Sequence, residues 1–242
     1  MVAADSSKAP MMSGNSKSLL VMFILFSLIT ATQYVAAIVA HSLALQADCA
    51  SMAVDAISYL FNMAAECQAD RSVRALLELV MSFVSLVLLS YFTGFFFVEA
   101  ARAVGFLPSA DGANEDTVDP ALVLIFAGLG ILFDMFSLFS YKVWHVDEPR
   151  SQNDTQAQRS NINMFSALLH VLADTARSTT TFVEGLILMN APGLDSATID
   201  GWCALIVCAL IAIGVLGGAA KWCLELRAYL TTRHSIGPIL LL

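Results

Sequence analysis

His170-Val171-Leu172-Ala173-Asp174 sits in the middle of an apolar run, and its reading decides what kind of molecule this is. A His and an Asp four residues apart share one face of a helix, about one turn from each other. An ionisable side chain inside a membrane-spanning helix costs on the order of 2.5–3.5 kcal/mol or more, so it normally faces the bundle interior and marks a function. A neutral imidazole beside a carboxylate is half of a tetrahedral site for a divalent metal such as Zn²⁺. The other half must come from another helix.

The composition around this stretch sets the class. The chain is 58% hydrophobic and 13% charged, with a mean hydropathy of +0.74. A soluble domain carries roughly 25% charged residues. The expected class is therefore an all-α membrane protein, and 242 residues allow about six spanning helices with short loops. Apolar runs fall at 19–40, 43–65, 75–98, 121–141, 161–189 and 199–220. The polar N-terminus is followed by an apolar run too long for a cleaved secretory signal, so that run is expected to stay as a helix. Residues 1–18 read as a disordered N-terminus, 19–222 as the transmembrane domain, and 223–242 as a short tail. The five cysteines are odd in number and show no C-x-x-C spacing, which suits helix packing. Gly214, Gly217 and Gly218 in the sixth run suit close helix approach.

Basic residues orient the bundle. Of the 12 Lys and Arg, Arg177 lies inside a span and Arg102 stands alone on one side; the rest lie at the termini and in the loops after the second and fourth runs. Basic residues mark the cytosolic side, so both termini are expected in the cytosol.

The second run is unusual. Asp48, Ser51, Asp55, Ser58 and Asn62 step by three or four residues and form one polar stripe on an apolar helix. Such a stripe must line a cavity or meet a partner. Asp55 is about 12 residues into the descending second run and Asp174 about 13 into the ascending fifth. At about 1.5 Å per residue both fall near the membrane midplane. Asp55, His170 and Asp174 can therefore converge, with Ser51 one turn above Asp55 as a fourth ligand. The competing reading is a buried polar network that ties two helices together.

Residues 42–55, Ser42-Leu43-Ala44-Leu45-Gln46-Ala47-Asp48-Cys49-Ala50-Ser51-Met52-Ala53-Val54-Asp55, resemble the second-helix signature of the cation diffusion facilitators, the cation efflux or zinc transporter family. His170-Val171-Leu172-Ala173-Asp174 with Ser178 resembles their fifth-helix signature. Val98-Glu99-Ala100-Ala101-Arg102 is similar to the usual end of the third helix, and Gly128-Leu129-Gly130-Ile131-Leu132-Phe133-Asp134 to the fourth, with Asp134 replacing an Asn. The resemblance implies a six-helix transmembrane bundle, usually dimeric, as a homodimer or with a paralogue. It implies export of a divalent cation, Zn²⁺ preferred, from the cytosol in exchange for protons across the plasma membrane or an organelle membrane. Zn²⁺ would be substrate and not a permanently bound cofactor. The family's C-terminal cytosolic domain is not expected here.

Two departures matter. The family's first second-helix ligand falls on Ser51, and a hydroxyl binds Zn²⁺ less well than imidazole or carboxylate. Arg177 lies one turn past Asp174 and can pair with Asp174 or with Asp48; pairing with Asp48 leaves Asp174 free. Asp134 can supply a carboxylate, bind a proton, or serve as a counter-ion to Arg177. These departures keep open a second reading, a non-transporting partner subunit of an active exporter. An enzyme is not expected: no Ser/His/Asp set, phosphate loop or redox motif is present, and the His170/Asp174 pair lacks the Glu of a His-Glu-x-x-His motif. Nucleic acid is not an expected partner, for the loops carry no basic stripe.

The topology has a direct consequence. The sequon Asn153-Asp154-Thr155 lies in a loop assigned to the cytosol. We expect no glycosidase-sensitive mass shift at Asn153 in expressed protein. A shift that vanishes in Asn153→Gln would invert the bundle.

Overall fold

The computed structural model of the chain describes residues 14–66, 68, 70–108, 117–144, 154–191 and 193–236. Among these the chain forms six helices and no strand: α1 (Gly14–Val39), α2 (Leu43–Glu66), α3 (Arg71–Ala103), α4 (Pro120–Trp144), α5 (Asp154–Asn190) and α6 (Ser196–Ile236). Each expected span lies on one helix. Asn153, Cys67 and His145 lie outside the described residues, as do the side chains of His170 and Asn62.

Four helices outrun the expected spans by four residues or more, and α1 does so by starting at Gly14, inside the stretch expected to be disordered. α3 starts at Arg71, inside what reads as a charged loop, because Asp70 caps it: its carboxylate accepts from the Ser72 amide at 2.8 Å and the Ser72 hydroxyl at 2.8 Å. Those bonds hold the Asp70 carboxyl below its ordinary range. α5 starts seven residues before the expected span, and α6 continues well past 220. At 41 residues, α6 is about 60 Å long, twice the hydrocarbon core of a bilayer. Its last turns therefore stand in water, where Lys221 and Glu225 pair one turn apart at 3.9 Å.

The bundle is apolar outside, and its largely apolar interior also holds polar and charged side chains. Among the described residues, Ser72–Ala103 and Ser196–Thr231 are long and apolar enough to cross a membrane, and only 6% of the α3 window is buried within the fold. α1 and α4 contribute shorter apolar stretches. Leu28, Tyr91, Leu132, Ile213 and Leu216 point outward, which suits contact with lipid tails and not with water. The buried apolar residues are mostly small, with Ala37, Ala40, Ala44, Ala47, Ala100, Ala127 and Ala204 among them. Small side chains let helix backbones approach closely in lipid, where apolar burial alone gives little drive.

α2 is the hub, packed against α1, α3 and α6 and touching α5 more sparsely. The α1–α2 turn explains its position. His41 adopts φ 55°, and its amide donates to Ile38 O (3.2 Å) while Ser42 donates to Ala37 O (3.3 Å). This is a Schellman closure with His in the left-handed position that glycine ordinarily takes. At the same end the Asp119 amide donates to Ala40 O at 3.0 Å, bringing the start of α4 beside the end of α1.

α3 and α6 run side by side. A Cβ at Gly218 would lie 2.8 Å from Leu86 Cδ2, and one at Gly201 2.9 Å from Val104 Cγ2. Trp222 Nε1 donates to Leu79 O at 2.9 Å. Of the three glycines marked for close packing, Gly218 alone serves it; Gly214 and Gly217 face open space, because only one side of α6 meets α3. Cys49, Cys203 and Cys208 are buried as free thiols in helix contacts, and Cys223 is free and exposed. The tightest approach to backbone joins α4 to α5: a Cβ on Gly185 would stand 3.0 Å from Leu124 N and 3.1 Å from its Cα. Backbone cannot yield as a side-chain tip can. Gly185→Ala should therefore cost about 1–3 kcal/mol, read as a lower melting temperature in detergent, whereas Gly214→Ala should cost nothing.

Candidate functional site

The polar stripe of α2 meets α5 through an ion pair. Arg177 Nε donates to Asp48 Oδ1 at 3.2 Å, and a second guanidinium nitrogen donates to Asp174, three residues earlier on α5. Asp48 is 1% and Arg177 5% exposed. The sequence alternatives were Asp174 or Asp48, with Asp174 left free in the latter case; the structure has Arg177 on both. The reason is the guanidinium fork, whose five donors serve two acceptors at once. Asp174 is thus not free of the arginine. Asp134 does not touch Arg177 directly. It is reached through Ser178, whose hydroxyl lies 3.2 Å from Asp134 Oδ2 and 3.4 Å from Asp48 Oδ2. A hydroxyl has one proton, so Ser178 donates to one carboxylate at a time.

Two glycines and one amide shape this chamber. A Cβ on Gly130 would lie 3.1 Å from Gln33 Nε2 and 3.2 Å from Ser178 Oγ. Gln33 donates to Phe126 O at 3.0 Å and is itself buried. Gly130 therefore leaves the room that α1, α4 and α5 need to meet, and Gly128 likewise packs on the Phe182 ring.

Two contacts set the register of α2 against α5. Asp48 faces Arg177, and Ser42, six residues earlier, faces Glu184, seven residues later. The helices are therefore antiparallel, and equal steps toward the far end pair Ser51 with Asp174 and Asp55 with position 170 at the same depth. Ser51 is buried, and its hydroxyl donates to Asp48 O at 2.8 Å, which leaves its lone pairs available. Asp55 is half-buried and within electrostatic reach of Arg177. It also lines a cleft of about 280 Å³ between α2, α3 and α6, with Ser58, Ser85, Lys221 and Glu225. His170 lies on α5, and its side chain is outside those described. Among the described residues no three His, Cys, Asp or Glu side chains form a metal-binding group.

The family described as the cation efflux transmembrane domain matches residues 19–226, nearly the whole bundle. The chain belongs to the cation efflux family. No curated protein sequence matches it at a significant level. Cation efflux proteins are membrane-integral transporters of metal cations, and not enzymes. In this cation efflux chain the α2–α5 seam is where buried charge concentrates, and one guanidinium there faces two carboxylates.

A second polar cluster escaped the sequence reading. Asp200, at the start of α6, accepts from Ser42 Oγ (2.8 Å), the Leu43 amide (2.7 Å) and the Ala44 amide (3.1 Å). Glu184 of α5 is buried beside it. Both acids lie within runs that look apolar on average. The available signal was that each is an acid inside a span, which is never cheap.

The Arg177 network predicts its own energetics. Removing one partner strands a buried charge, at about 3–5 kcal/mol. Arg177→Gln should lower the melting temperature strongly, and Asp48→Asn added to it should restore part of the loss. Additive losses in a double-mutant cycle would deny that the pair interacts.

Proposed function

We propose that the protein is a secondary transporter that exports a divalent transition metal, zinc before others, from the cytosol in exchange for protons. Asp55, His170 and Asp174 hold the metal near the membrane midplane, with the Ser51 hydroxyl as a weak fourth ligand. The observation that carries this reading is the α2–α5 register, in which Ser51 and Asp174 share one depth and Asp55 and position 170 the next. A helical turn separates the two depths, by about 5 Å. Retention of a histidine at position 170 favours zinc over a hard, oxygen-only cation.

The arginine becomes part of the cycle. Arg177 bridges Asp48 and Asp174. When a cation takes Asp174, the guanidinium keeps Asp48, so neither buried charge is left alone. Metal ligands must be deprotonated, so loading releases protons and unloading takes them back. Imidazole is the natural exchanging group, because its ordinary charge change falls near neutrality. Alternating access is a rocking of helices about this midplane site. Both termini face the cytosol, and the unit is a dimer with itself or with a paralogue.

A second reading has one observation in its favour: the guanidinium already sits on Asp174. On that reading the chain is a non-transporting partner subunit. Zinc flux into proteoliposomes, with and without a proton gradient, separates the two. We expect gradient-dependent flux that falls to background in His170→Ala and in Asp174→Ala, with expression retained. Normal flux in the double variant would remove these residues from the site. No flux from well-folded wild-type protein would favour the partner subunit.

A further inference from the structure

The Ser42–Asp200–Glu184 cluster lies two turns from Arg177 along α5, about 10 Å away. Its hydrogen bonds can be counted in full. A helix start has four amides without intrahelical partners. In α2 the Leu43 and Ala44 amides go to Asp200 (2.7 and 3.1 Å), Leu45 to Ser42 Oγ (3.0 Å) and Gln46 to Ser42 O (3.1 Å). The Ser42 hydroxyl spends its one proton on Asp200 Oδ1. Asp200 is thus cradled by three donors and by the positive end of α2, an environment for an ionised carboxylate.

Glu184 has none of this. It is 0% exposed, and neither carboxyl oxygen has a hydrogen-bond partner among the described residues. Its carboxyl faces Asp200 and Ser42. Among the described residues, no neighbouring element brings Glu184 a hydrogen-bond donor. α6 adds the neutral Cys203 thiol beside both acids. α2 adds Ser42, whose proton is committed. α4 presents the backbone of Leu124 against neighbouring Gly185. His41 is exposed at the turn, and Arg177 is engaged by Asp48 and Asp174. An ionised, donor-free carboxylate in contact with a second one cannot be sustained in such an interior. One hydrogen on Glu184 removes the conflict, because the acid O–H then donates to Asp200. A metal ion does not fit as well, since the three donors aimed at Asp200 would point at it.

We propose that Glu184 and Asp200 form a proton-binding site, separate from the α2–α5 metal seam, in which Glu184 carries the proton and donates it to Asp200. The bound proton joins α5 to α6 and, through the Asp200 cap, to the first turn of α2. As pH rises and the proton leaves as hydronium or to hydroxide, two negative charges meet and the cap on Leu43 and Ala44 loosens. Acidification restores it. The proposal stands without the metal reading, because the site binds its proton whether or not metal moves.

The test uses the full chain in lipid nanodiscs, free of added metal. Infrared difference spectra between neutral and alkaline pH should show loss of a protonated-carboxyl carbonyl band. The isosteric Glu184→Gln variant, whose amide donates to Asp200 in place of the acid, should lack that change, and Asp134→Asn should keep it. Exchange of the Leu43 and Ala44 amides, corrected for the intrinsic pH dependence, should rise about tenfold at alkaline pH in wild type and stay flat in Glu184→Gln. A band that survives Glu184→Gln, or vanishes in Asp134→Asn, overturns the assignment. If Glu184→Gln does not fold, the wild-type exchange profile still decides: pH-independent protection of Leu43 and Ala44 overturns the proposal. A failure here leaves the zinc-flux result untouched, and absent zinc flux leaves this proton site untouched.

Discussion

The guanidinium of Arg177 is the interaction on which the middle of this bundle depends. α2 and α5 touch only sparsely, and yet their facing stripes carry Asp48 and Asp174 in the interior. Removing either helix from its partner would strand a charge in a medium where it has no water. The arginine closes that gap from α5 to α2 and, with Ser178, draws in Asp134 of α4. It does so with one guanidinium set between two carboxylates.

The same constraint operates at the start of α2. Four amides there need acceptors and no water is guaranteed, so the chain supplies Asp200 from a helix 158 residues away from Ser42. α2 is thereby held at two depths, by α6 and Glu184 at its first turn and by Arg177 at its second. Register between α2 and α5 follows from polar pairing and not from apolar packing, as is expected where lipid and side chains are equally apolar.

Much of the architecture was legible from residues alone. Six apolar runs map onto six helices, and the polar stripe of α2 does face inward at Asp48 and Ser51. The ends were less legible. A helix that leaves the bilayer continues on propensity and capping, as Asp70 does for α3 and the Lys221–Glu225 pair does for α6, and neither feature alters mean hydropathy. Gly214, Gly217 and Gly218 look equivalent in sequence, but only contact with Leu86 distinguishes the last. The pairing of Arg177 stood open between two acids because helical periodicity places both within reach; side-chain geometry gave it both.

The sequence by itself determined the class, the number of helices, the family and the residues able to carry charge across the bundle interior. These follow from hydropathy and from helical spacing, which are local properties of the chain. Only the tertiary structure decided which charges meet. Asp48 with Arg177 and Ser42 with Asp200 join positions far apart in the chain, and their partners are chosen by how the helices cross. The physical reason is that a buried polar group takes whichever complementary group the packing brings within about 3 Å, and no periodicity along one helix can specify the depth of another.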